Sequence, residues 1–298
     1  MVRASFLAGM LTLPVAVGVE MAARGGPPSV QGGVPKTALV TVVAPPDGPI
    51  KDLAAREFIV REDNSTREVT GAELSAEPLF ISILVDTSQP AIGVPPPIQD
   101  LRNALSTFVK TIQAASPDAQ ISIMEFGGAA VPTVPFSAKY ADLEKGILRL
   151  VPDPRVGSVL LEALVDAGKA LSDKPTPRRA IVSIDFDSQE TSSLQPKKVS
   201  EDVHKSGASV WGISIQQSTT STMAPAREAV LKDTTQRSGG MRLTAVGPSA
   251  LESMLKGVAN SLLSQYTVSY MRPAGANVKS IKAETTRGAK VLMTPWLR

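Results

Sequence analysis

Two patterns of apolar residues divide this chain. Four runs, LFISILV (79–85), QISIMEF (120–126), AIVSIDF (180–186) and ASVWGISI (208–215), are nearly continuous in apolar residues. Runs of that length without polar alternation are expected of strands covered on both faces. Between them, apolar residues recur at helical spacing: Ile98, Leu101, Leu105, Phe108, Val109 and Ile112; then Leu143, Ile147 and Leu150; then Leu160, Leu164, Ala167 and Leu171. KKVSEDVHKSG and PAREAVLKDTTQRSGG read as two further helices with glycine stops, the first at Gly207. MRLTAV is a weak strand, and Leu251, Met254, Leu255, Val258 and Leu262 stripe a last helix. Buried strands alternating with amphipathic helices predict an α/β fold, a doubly wound, mostly parallel sheet with helices on both faces.

The flanks have a different texture. KTALVTVVA (36–44), EFIVRED and STREVTGAEL alternate, are β-branched and read as strands, the last two meeting around Asp63-Asn64. After Gln265 the same texture returns in YTVSYM, VKSIKAET and AKVLM. The two ends together predict a small β-sandwich-like domain, into which the α/β domain is inserted. The expected boundaries are 36–77 and 266–298 for the β domain and 78–265 for the α/β domain. Residues 24–35, RGGPPSVQGGVP, read as a flexible linker.

The first residues carry a further signal. Arg3 precedes an uncharged apolar stretch, ASFLAGMLTLPVAVGV, and MAA at 21–23 supplies small residues. This is the three-part pattern of a secretory signal peptide, expected over 1–23. It points to an exported product, periplasmic or secreted; left uncleaved, it would be a single anchor. The chain has no cysteine, which excludes disulfides, thiol nucleophiles and thiolate metal sites. The 31 basic and 28 acidic residues are spread evenly, so no basic stripe suggests nucleic acid. No glycine-rich phosphate loop follows a strand, so nucleotide binding has no support. His204, the single histidine, lies in a polar helix and reads as a surface residue rather than a catalytic base.

Candidate chemistry lies just beyond the strands, because open α/β sheets bind ligands at their carboxyl ends. The first buried strand ends in Asp86, Thr87 and Ser88. The third is followed by Asp187, Ser188, Gln189 and Glu190, and Gly157-Ser158 precedes a helix. Carboxylates and hydroxyls are hard ligands, suited to Mg²⁺, Ca²⁺ or Mn²⁺. A single such group often only caps the next helix; three on one sheet edge suggest a site. The Gly127-Gly128 pair reads as a plain turn.

Residues 78–265 resemble a von Willebrand factor A domain. LVDTSQP resembles the strand-end D-x-S-x-S of its metal-ion-dependent adhesion site, or MIDAS. VGSVLLEAL resembles the second loop, with Ser158 at the threonine position. DSQETSS resembles the third loop, with Asp187 at the aspartate. QISIMEFGGAAVPTVPFS is similar to the intervening strand and hairpin. VTVVAPPDGPIKDLAAREFIVREDNSTREVTGAEL and SQYTVSYMRP resemble the flanks of bacterial exported "VWFA-related" proteins of acidobacterial type. The resemblance implies a Rossmann-like fold, a protein-binding role without enzymatic activity, and a divalent metal, usually Mg²⁺. Asp86, Ser88, Ser158 and Asp187 would hold that metal, and an acidic group of a protein partner would complete its shell. Pro90 departs from the pattern, replacing the third hydroxyl with a residue that has no side-chain donor or acceptor. Asp185 lies two residues before Asp187 and competes for its role. Two other readings stay open: a metal-dependent hydrolase using the strand-end carboxylates, and a structural domain with a vestigial site.

Overall fold

The structure, a computed structural model, describes residues 33–88, 98–186, 188–216 and 225–297, with no side chains beyond 294. The expected segment over 1–23 and Pro90 lie outside these residues. A six-stranded sheet forms the centre of the molecule. Its strands are β5 (Phe80–Val85), β6 (Gln120–Glu125), β7 (Val131–Ser137), β8 (Arg179–Asp185), β9 (Ser209–Gln216) and β10 (Met241–Val246). Their order is β10-β9-β8-β5-β6-β7, parallel throughout except for β7 at one edge.

The apolar runs have two covered faces. Ile81, Ile83 and Val85 of β5 pack with α1 (Ile98–Ala115), α2 (Tyr140–Arg149) and α6 (Leu251–Leu262). Leu84 points the other way, toward α3 (Leu160–Ser172), α4 (Pro196–Lys205) and α5 (Pro225–Arg237). The period-2 pleat of a strand sends successive side chains to opposite faces, so a strand with helices on both faces must be apolar throughout. The helical spacing is equally direct: Leu101, Ala104, Leu105, Phe108, Val109 and Ile112 are the buried residues of α1.

The flanks form two antiparallel sheets. β1 (Gly33–Val42), β4 (Val69–Leu74), β11 (Gln265–Pro273) and β13 (Val291–Leu297) order as β13-β1-β11-β4. β2 (Phe58–Glu62), β3 (Ser65–Arg67) and β12 (Ile281–Thr285) order as β12-β2-β3. Val40, Phe58, Val60, Tyr266 and Val268 fill one core between the sheets, so chain from both ends closes a sandwich. Asp63 and Asn64 join β2 to β3 with φ of 47° and 66°, the left-handed pair that a two-residue hairpin turn needs. β1 begins three residues before the expected Lys36, because β11 offers a partner as far as Gly33, which faces Pro273.

Among the described residues that join the two units, Arg178 makes the most hydrogen bonds. Arg178, buried just before β8, donates to Gln265 Oε1 and to the carbonyls of Ser75, Glu77 and Leu262, at 2.9–3.0 Å. These acceptors lie where the chain leaves and re-enters the sandwich. At the opposite end of β5 and β8 lie the strand carboxyl ends.

Candidate functional site

Asp86, Ser88 and Ser188 sit where parallel strands stop and their loops begin, and Ser158 lies in the loop before α3. Asp86 follows β5, and its N–H donates to the Ile184 carbonyl of β8 at 2.9 Å, continuing the ladder one residue. The carboxylate is almost fully buried, at 2% exposure. Its Oδ1 accepts from the Ser88 N–H (3.0 Å) and Oγ–H (2.5 Å). Its Oδ2 accepts from the Ser188 Oγ–H (2.7 Å) and the Phe186 N–H (3.3 Å). The first and third loops are therefore tied through one carboxylate.

Backbone bonds bring in the second loop. Ser158 N–H donates to the Gln189 carbonyl and Thr191 N–H to the Ser158 carbonyl, both at 2.8 Å. Gly128 N–H reaches the Gly157 carbonyl at 2.7 Å, and Asp153 N–H reaches the Thr87 carbonyl at 2.7 Å. Gly127 is more than the plain turn expected of it. A Cβ there would lie 2.8 Å from Thr87 Oγ1 and 2.9 Å from the Thr87 carbonyl carbon, so only glycine lets these loops touch. Gly157 is as tightly placed, with Thr191 Cγ2 2.4 Å from its Cβ position. Ser158 is fully buried, and its Oγ has no hydrogen-bond partner.

Beside this cluster lies a buried ionic group that sequence reading missed. Arg227, in the first turn of α5, is fully buried. Its Nε donates to Glu190 Oε2 at 3.1 Å, and its Nη1 lies 3.8 Å from Asp185 Oδ1. Neither Nη atom makes a hydrogen bond, nor does Asp185 Oδ1. Burial pushes the Asp185 carboxyl up to about 6, against the pull of Arg227 and of the Ser214 hydroxyl, which donates to its Oδ2 at 2.8 Å. Burial likewise raises Glu190 despite Arg227. Position 227 gave no signal because PAREAV carries no apolar stripe to mark an inward face.

The expected residues are thus placed unevenly. Asp86 and Ser88 are joined directly, and Ser158 is brought to the same edge. Asp187 lies outside the described residues. Asp185 is engaged on the β9 and α5 side, with Ser214 and Arg227. Ser188 is among the groups past the third strand but is not in the metal-ligand set that the resemblance implies. The hydroxyls of Ser88 and Ser188 give their protons to Asp86, which leaves their oxygen lone pairs free, and the Ser158 Oγ is unpartnered. Neutral hard oxygens beside a carboxylate fit a hard divalent cation.

No family model and no curated protein matches the sequence. Solved structures do match the fold. Proximal thread matrix protein 1 from the mussel byssus, in a form with a zinc-occupied MIDAS motif, aligns at 14% identity and TM-score 0.52. The alignment covers 72% of this chain and 50% of that one. The D319A mutant of the PilB minor pilin from Streptococcus sanguinis aligns at 10% identity and TM-score 0.51, over 64% of this chain and 62% of its own. A von Willebrand factor type A protein from Catenulispora acidiphila aligns at 11% identity and TM-score 0.49, over 90% of this chain and 66% of its own. The α/β unit has the von Willebrand factor A fold. At these identities the likeness is one of architecture.

Proposed function

We propose that this protein is an exported binding module, of the VWFA-related type, that engages a protein partner through the face around Asp86. Asp86, Ser88, Ser158 and Asp187, joined by Ser188, would hold a divalent cation, Mg²⁺ or in its place Mn²⁺ or Ca²⁺. When bound, that cation supplies an open coordination position for an acidic side chain of the partner. This chain's own part is to hold the hydroxyls: the carboxylate of Asp86 orients Ser88 and Ser188 from two loops at once.

One observation carries the reading. Of the seven well-exposed large apolar residues among the described ones, five lie along the sheet edge that carries the polar site. Val131 begins β7, Leu148 and Val151 bracket the end of α2, Leu194 lies in the loop after β8, and Val246 ends β10. Strand direction puts all five at or beside the carboxyl edge; of the described residues so exposed, only Val34 and Leu74 lie elsewhere. Apolar residues around a polar centre suit a partner surface, not a small substrate. No helix among the described residues is long and apolar enough to cross a membrane. Export rests on the pattern in residues 1–23.

Titration calorimetry of Mg²⁺ and Mn²⁺ into the purified protein tests the metal, with Asp86→Asn as the isosteric control. Saturable binding that Asp86→Asn abolishes supports a bridging cation. No heat, and no metal-dependent rise in Tm, would reject the cation and leave contact through the apolar rim alone.

A further inference from the structure

The outer edge of the central sheet offers a second surface. β7 and β10 are the outer strands of that sheet, and they are finished differently. β7 reads VPTVPFS, so Pro132 and Pro135 remove two backbone donors and blunt its edge. β10 reads MRLTAV, with no proline and one charge. A strand edge left in that state is a template for another extended chain.

Beside the start of β10, between it and β13, runs a groove of about 500 Å³. Met241 and Leu292 supply apolar lining, and Lys232, Arg242 and Lys290 supply charge; no acidic residue lines it. Arg242 is bound to Glu228 at 2.6 Å. The two lysines differ from the four that are ion-paired. Lys169, Lys198, Lys205 and Lys256 each lie against an acid on their own helix. Lys232 has no carboxylate within ion-pair distance among the described residues, and Lys290 meets only the Met241 sulfur, at 3.3 Å. The groove therefore combines an open strand edge, an apolar lining and two cations without counter-charges.

We propose that this groove binds an extended acidic peptide segment, which adds a strand to β10. Successive side chains of an added strand point to opposite faces, so acidic ones on the α5 face would reach Lys232 while apolar ones on the other face meet Met241 and Leu292, with Lys290 beside them. A second copy of this chain fits poorly, because edge-to-edge pairing would bring both sets of cations together. The inference is independent of the face around Asp86 and needs no metal.

The probe is a fluorescein-labelled peptide of alternating Glu and Val, about eight residues or roughly 26 Å when extended. Anisotropy is followed in EDTA, with hydrogen exchange at 241–246 read in parallel. The expected result is saturable binding that protects β10 amides and weakens between about 0.05 M and about 0.5 M salt. Lys232→Glu with Lys290→Glu, both on exposed side chains, should weaken it by about tenfold or more while leaving Tm unchanged. A Lys-Val peptide should not bind, nor should a Glu-Val peptide N-methylated at alternate residues. The proposal is overturned if the wild type ignores the Glu-Val peptide, if the double variant binds it equally, or if the N-methylated peptide binds as well. Dimerisation through β10 in sedimentation velocity, without peptide, would overturn it in favour of self-pairing.

Discussion

The molecule contains two buried ionic clusters, one in the sandwich and one beside the candidate site, and they are finished to different standards. In the sandwich, Glu62 is fully buried at the end of β2. Its Oε1 accepts from Tyr270 Oη (2.9 Å) and Arg272 Nε (2.7 Å), and its Oε2 accepts from Arg67 Nε (2.9 Å). Both carboxylate oxygens are used, by residues on two other strands, β3 and β11. Beside the site, Arg227 is equally buried but makes one side-chain hydrogen bond, while its two Nη atoms and the nearby Asp185 Oδ1 have none. A satisfied buried charge holds strands in register; unsatisfied buried groups in a native fold ask for another explanation, such as a bound water, ion or ligand. The contrast is between a satisfied network and one left open beside the candidate site.

The sharpest test is to break the satisfied network. Glu62→Gln removes the charge that two arginines and a tyrosine share, and leaves both guanidinium groups facing a neutral amide. The expected loss is about 3–5 kcal/mol of unfolding free energy, the range for breaking a buried pair from one side, with metal affinity unchanged. Urea unfolding and calorimetry on the same sample measure both. A loss below about 1 kcal/mol would show that the network contributes little and would remove the contrast.

The same network predicts a pH dependence. Burial raises Glu62, but hydrogen bonds from Arg272, Tyr270 and Arg67 outweigh it, so its folded-state pKa lies below the ordinary 4.5. A carboxyl depressed by folding stabilises above its unfolded pKa, and that contribution fades as pH falls through the folded value. Tyr270 is pushed up to about 12 by burial and by Glu62. Its contribution is complete below the unfolded value of about 10 and is lost as pH rises toward 12. Wild type minus Glu62→Gln, plotted as stability against pH, should therefore fall at both ends. A flat difference would mean that the carboxylate is not the centre of the network.

Arg227→Met should cost less, about 1–3 kcal/mol. The substitution leaves Glu190 without its partner, but it also removes two buried donors that had no acceptor. Methionine fills comparable space along the helix face. A loss as large as that of Glu62→Gln would mean that Arg227 is satisfied in solution in a way the described contacts do not contain.

The two clusters were not equally readable in the sequence. The architecture was legible, because buried parallel strands leave long apolar runs such as LFISILV and the helices between them leave clear stripes. The sandwich built from both ends was legible in texture, and Asp63-Asn64 marked its turn. Of the site, Asp86, Ser88 and Ser158 could be placed because strand ends in such a sheet face one edge. Ser188 was placed at that edge too, but its bond to Asp86 could not be read, since whether its hydroxyl reaches that carboxylate depends on how the third loop folds back over β5. Arg227 and Glu62 were invisible for a related reason. A buried charge has the same letter as an exposed one, and only the partners that three or four distant segments bring to it decide which it is. The role of Gly127 was hidden in the same way, by a contact with Thr87 that no local pattern announces.

The smallest expected effect gives the finest discrimination. Ser158 Oγ is buried without a partner, so Ser158→Ala removes a desolvated hydroxyl and no hydrogen bond. Stability should change by less than about 1 kcal/mol, in the stabilising direction. If the same oxygen holds a cation, Mn²⁺ affinity should fall by about tenfold or more in that variant, measured by calorimetry. Stability gained with affinity lost is the signature of a polar group kept for a ligand rather than for the fold. Stability lost would mean that the hydroxyl already has a structural partner, and unchanged affinity would remove Ser158 from the metal site.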